Sequence, residues 1–230
     1  MKIKLDQELE ELNQEMISLG ILCEKAISIS TNVLRQNILT DGASKEANIT
    51  DDEISDLDIR IEISDLDIRI ERKERAIEGK CIKLLMQHQP VARDLRLISS
   101  ALKMVTDMKR IGIQAGNIAE IIDNNPGREV GIEDCISNMA DATRKMVTES
   151  IDAFVKKDAT IAREVIQKDD EIDNYFVGIK NKIVECLREG SADGEHAIDM
   201  LMVSKYLERI GDHAENIAGW VLYSIEGTVR

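Results

Sequence analysis

The pattern R-I-G-x-x-A-x-N-I-A occurs twice in this chain. Arg110-Ile111-Gly112, Ala115 and Asn117-Ile118-Ala119 match Arg209-Ile210-Gly211, Ala214 and Asn216-Ile217-Ala218 at one constant offset. Seven identities in ten aligned positions point to an internal duplication, so whatever architecture one copy enters the other must enter too. Breaker residues divide the sequence into six apolar-periodic runs, roughly 5–39, 50–89, 91–122, 132–155, 160–187 and 195–223. The stops are Thr40-Asp41-Gly42-Ala43-Ser44, Pro90, Asp123-Asn124-Asn125-Pro126-Gly127, Lys157-Asp158 and the segment from Glu189 to Gly194, all turn or cap chemistry. Pro90 cannot continue a helix but can begin one. The repeated pattern falls in the third and sixth runs, which predicts an all-α chain of two tandem three-helix units. The first spans 1–125 and the second 131–230, each long enough to bury a small core.

Composition agrees with long aliphatic helices. Two prolines and 3% aromatic residues, beside 43% hydrophobic and 32% charged, leave too few turn and β-favouring residues for a sandwich or barrel. A net charge of −14 with no basic stripe argues against nucleic acid or an anionic membrane as the main partner. Cys23, Cys81, Cys135 and Cys186 are widely separated and sit among aliphatic residues. They read as reduced core thiols, hence a reducing compartment. The opening residues turn acidic at once, without a signal-peptide core. The longest uncharged stretch, from Asn216 to Ile225, is about half of the ~20 residues a membrane span needs. A cytoplasmic location is expected, without membrane insertion.

A second repeat lies inside the second run. The nonapeptide E-I-S-D-L-D-I-R-I stands at 53–61 and again, unbroken, at 62–70. Nine residues are two and a half helical turns, so the two apolar faces point in opposite directions. One copy is therefore expected in a loop, projecting beyond the bundle, or as an artefact of the sequence; a peripheral extension is the reading we favour.

Candidate chemistry is confined to carboxylates. Glu208, Asp212 and Glu215 lie at i, i+4 and i+7, within about 60° of one another on a helix, with Tyr206, Ile210 and Ile217 opposite. Such a stripe is ordinarily a solvated face. Three features weigh against that here: Gly211 stands beside it in mid-helix, where glycine costs about 1 kcal/mol and signals a close approach. Like charges at i, i+4 repel unless a cation offsets them. Asp169 and Asp173 repeat the spacing in the fifth run, on the margin of the Ile172, Phe176, Ile183 stripe. If the fifth and sixth runs are antiparallel neighbours, the carboxylates converge into an all-oxygen set suited to Mg²⁺, Ca²⁺, Mn²⁺ or iron. His88 and His196 border turns, His213 reads as a surface group, and there is no Glu-x-x-His pair, which disfavours a ferritin-like di-iron oxidase. No phosphate-binding loop, nucleophile elbow or Cys/His pair is present, so the chain does not read as an enzyme.

Gln89-Pro90-Val91-Ala92-Arg93-Asp94-Leu95-Arg96 followed by Arg110-Ile111-Gly112 resembles the PhoU family of phosphate-uptake regulators. So does the segment from Tyr206 to Ala218, Y-L-E-R-I-G-D-H-A-E-N-I-A, while Asp152-Ala153-Phe154 and Asp169-Asp170-Glu171-Ile172-Asp173 fit the start of that family's second repeat. The resemblance covers nearly the whole chain except around the nonapeptide duplication. It implies two three-helix bundles related by a pseudo-twofold, homodimerisation, and contact with the phosphate ABC transporter ATPase. In bacteria it also implies contact with a sensor histidine kinase, and thereby restraint of phosphate uptake and of phosphate-starvation signalling.

The resemblance further implies metal, iron or another divalent cation, at paired E(D)-x-x-x-D motifs. The second repeat keeps them as Glu208-x-x-x-Asp212 and Asp169-x-x-x-Asp173, with Glu215 alongside. In the first repeat Lys109 and Ile113 replace the acidic pair, Asp107 stands nearby, and the neighbour-helix motif is Asp67-x-x-x-Glu71. The expectation is therefore a competent metal site in the second repeat and a degenerate one in the first, at Asp67, Glu71 and Asp107. A metal-binding helical protein with no transport role stands as the alternative.

Overall fold

The computed structural model describes residues 2–40, 49–124 and 132–227. They form six α-helices: α1 (Lys2–Thr40), α2 (Ile49–His88), α3 (Ala92–Asn124), α4 (Glu133–Lys156), α5 (Ala159–Glu189) and α6 (Gly194–Glu226). Among the described residues there are no strands. The breakers at 41–44 and 125–127, and with them the boundary between the repeats, lie outside the described residues.

Where chain turns are described, their causes are local. Lys157 closes α4 in the left-handed conformation, at φ 52°, and Asp158 opens α5 by accepting from Thr160 N at 2.7 Å and Ile161 N at 3.3 Å. Those bonds satisfy amides a helix start leaves unpaired. Gly190 ends α5 at φ 68°, a conformation glycine adopts without a Cβ penalty. Pro90 does not open α3: Gln89 and Ala92 both take positive φ, 46° and 49°, and the helix begins only at Ala92.

Helices α1, α2 and α3 pack together, as do α4, α5 and α6, and the two sets join through α3 against α6 and α1 against α4. Helices α3 and α6 run antiparallel, since Asp107 meets His213 while Arg96 lies against Gly227. The core is continuous across both sets: Leu12, Met16, Ile77 and Met104 belong to the same buried cluster as Met139, Val165, Ile210 and Ile217. Each repeat therefore completes its burial against the other. Cys23 and Cys81 are buried and burial pushes both thiols up to about 12, with Cys23 donating to Met108 O at 3.2 Å. Cys135 and Cys186 are only partly buried, so two of the four thiols line the core's edge rather than its interior.

The nonapeptide copies lie in one uninterrupted helix. Leu66 and Ile70 of the second copy are buried, whereas Ile61, the first copy's counterpart of Ile70, is 59% exposed against 1%. That is the half-turn reversal expected from nine residues. The rest of the first copy's side chains lie outside the described residues. With 40 residues against 31 for its counterpart α5, α2 is longer by the length of one nonapeptide.

Candidate functional site: a carboxylate cluster between α5 and α6

Close packing of α5 on α6 sets the geometry. A Cβ at Gly211 would lie 3.2 Å from Ile172 Cγ2 and 3.4 Å from Asp169 Oδ1, so the absent side chain lets α5 bring both residues onto α6. Ile172 fills the apolar side of the contact, and Ile210 and Ile217, on another side of α6, are buried in the core. Asp169, Asp173, Glu208, Asp212 and Glu215 occupy its margin, all of them except Asp173 partly buried.

Electrostatics record their proximity. Asp169 is pushed up to about 7, first by desolvation and then by the charges of Glu215, Asp212, Asp173 and Glu208. Asp212 is also raised, by desolvation and Glu208, with Lys205, Asp173 and His213 contributing smaller effects of both signs. Glu208 Oε2 is buried without a hydrogen bond although Lys205 Nζ lies in ion-pair contact with the same oxygen. The contact is therefore off hydrogen-bond geometry. Lys205 also sits over the Phe176 ring, 5.0 Å from its centroid. Asp169 thus stands under the repulsion of four carboxylates, which a hard cation relieves. The donor chemistry fits such an ion. As the side chains stand, no three His, Cys, Asp or Glu groups among the described residues are positioned to hold one.

The first repeat is built on the same frame. A Cβ at Gly112 would lie 2.7 Å from Ile70 Cδ1. Gly112 and Gly211 are 99 positions apart and Ile70 and Ile172 are 102 apart, so α2 sits on α3 as α5 sits on α6. Asp67 and Glu71 then correspond to Asp169 and Asp173, and Lys109 and Ile113 to Glu208 and Asp212. Here the chemistry does not fit a cation site: Lys109 donates to Glu74 at 2.7 Å, Glu71 pairs with Arg75 at 2.7 Å, and Asp67 is exposed.

Asp107 requires a correction. It does not join Asp67 and Glu71, because it lies about 200° around α3 from Lys109 and faces α6, where its Oδ1 is 3.0 Å from His213 Nδ1. The same contact removes His213 from the surface: it is a partly buried link between the repeats. Neither half of this pair, nor Glu74, carries a sequence signal of its own, since each partner is on another helix.

Fold and site together define a class: an all-helical protein of two like three-helix bundles, with carboxylates clustered on one. A family model described as the PhoU domain matches residues 45–122 and 136–221. The chain belongs to the PhoU family. It is 32% identical over 224 residues to a phosphate-specific transport system accessory protein PhoU homolog from Clostridium acetobutylicum, covering 96% of this chain and 94% of that one. A homolog of the same description from Aquifex aeolicus is 31% identical, with 99% and 95% covered. The crystal structure of PhoU from Pseudomonas aeruginosa superposes with a TM-score of 0.82 at 29% identity, covering 97% of this chain and 99% of that one.

Proposed function

We propose that this chain is a non-enzymatic regulator that restrains phosphate uptake and phosphate-starvation signalling through protein–protein contact. The observation that carries this reading is the near full-length similarity to phosphate-specific transport system accessory proteins. Its partners in this reading are the ATPase of the phosphate ABC transporter and a sensor histidine kinase, met in the cytoplasm by a homodimer. No described helix is long and apolar enough to cross a membrane. The test is phosphate uptake in a deletion strain complemented with this chain. Complementation should lower uptake when phosphate is plentiful; uptake equal to that of the uncomplemented strain would count against regulation.

The α5/α6 cluster supports a second element of the reading, cation binding by Asp169, Asp173, Glu208, Asp212 and Glu215. The ion, iron or another divalent cation, would supply the positive charge that lets these carboxylates share one site and would tie α5 to α6. Should uptake prove independent of the protein while metal is bound, the chain is a metal-binding helical protein instead.

A further inference from the structure

The first repeat sets a lysine against a glutamate across its helix pair, where the second sets five carboxylates around Lys205, which pairs with Glu208 along α6. Lys109 Nζ is 2.7 Å from Glu74 Oε2, and Glu74 is 7% exposed. Glu71 acts on the same ammonium from the next turn of α2. The equivalent Gly112–Ile70 and Gly211–Ile172 contacts place Lys109 at the position of Glu208 and Ile113 at that of Asp212. Helix α3 therefore offers α2 a base and an apolar group where α6 offers α5 two acids. A buried carboxylate must be paired or neutralised. A lysine tethered to the facing helix does this without being drawn from solution and without exchanging into it. Glu74 in turn holds the Lys109 ammonium above the ordinary lysine range, so it stays charged.

We infer that Lys109 is the first repeat's resident cation, a tethered ammonium that balances Glu74 permanently and leaves any response to exchangeable cations to the second repeat. The last clause rests on the α5/α6 cluster being a cation site; the balancing of Glu74 does not. The consequence is directional. Two helix pairs of the same build differ in that one joins its helices by a lysine–glutamate ion pair, while in the other the lysine pairs along its own helix and Asp169 stays under the repulsion of four carboxylates.

Two arms test it in the full chain. In metal-free buffer, urea denaturation compares wild type with Lys109→Met and with Lys109→Met/Glu74→Gln. Removing the ammonium alone should lower the folding equilibrium constant by on the order of tenfold, because it strands Glu74, and neutralising Glu74 as well should recover most of that loss. A single variant as stable as wild type, or a double variant no better than the single, overturns the inference. In the second arm, Lys109→Glu/Ile113→Asp is titrated with Mn²⁺ after its helical content is checked by circular dichroism. It should bind more Mn²⁺ than wild type, and the extra ions should persist when Asp212→Ala is added. A folded variant with no added Mn²⁺ overturns the equivalence of the two positions. If wild type binds no Mn²⁺ and the denaturation arm behaves as expected, the cation reading of the α5/α6 cluster fails while Lys109 keeps its role.

Discussion

Desolvation and four neighbouring carboxylates push Asp169 up to about 7, from an ordinary value of 3.8. The folded chain thus holds a proton that the unfolded chain has released, and linkage gives the sign: stability falls as pH rises from about 4 to 7 and stays low above that. In a chelator, this protein should melt at a higher temperature at pH 5.5 than at pH 8. Asp169→Asn should flatten the difference and raise the melting temperature at pH 8; an unchanged slope in thermal scans at the two pH values would contradict the assignment. Saturating Mn²⁺ at pH 8 should raise it too, by supplying the missing charge. At this scale the sequence was legible where a residue's meaning is local. Gly211 in mid-helix pointed to a close approach, and Ile172 and Asp169 make it. Asp107 was misread because its partner, His213, lies 106 positions away on another helix, and no local pattern signals that pairing.

Helix ends were readable to within about three residues, since caps and left-handed terminators are short-range chemistry. Asp158 is the clearest: its carboxylate takes two α5 amides, and Asp158→Ala should cost about 1 kcal/mol in denaturant unfolding. No loss would mean the α4–α5 corner is held by packing alone. Helix α2 shows what periodicity foretells and what it leaves undecided. The nine-residue step fixed that the copies face opposite ways, as Ile61 and Ile70 do. Nothing in the repeat told which copy packs; that depends on α3, whose Gly112 receives Ile70. Because the copies are identical, deleting either gives the same chain and keeps Leu66, Ile70 and everything after them. Such a deletion should leave helical content per residue unchanged and stability within about 1 kcal/mol, typical of changes away from a core. A chain that no longer folds would show that the upper part of α2 is needed.

Across the whole molecule the duplication sets the frame and the charges break its symmetry. The architecture followed from the repeated R-I-G-x-x-A-x-N-I-A segment, because Ile111, Ala115, Ile118 and Ala119 are core residues, as are Ile210, Ala214, Ile217 and Ala218. The single continuous core was not foreseen: α3 packs on α6 through contacts that no within-repeat pattern encodes. What differs between the halves lies on the outer margin of each helix pair. The second repeat gathers Asp169, Asp173, Glu208, Asp212 and Glu215, and the first sets Lys109 against Glu74. The most direct test of this asymmetry is elemental analysis of the purified full chain with Asp212→Ala and Asp67→Ala, which remove one aspartate from each of the two equivalent helix pairs. Bound metal should fall sharply in Asp212→Ala and stay at the wild-type level in Asp67→Ala; equal losses in the two would contradict the account.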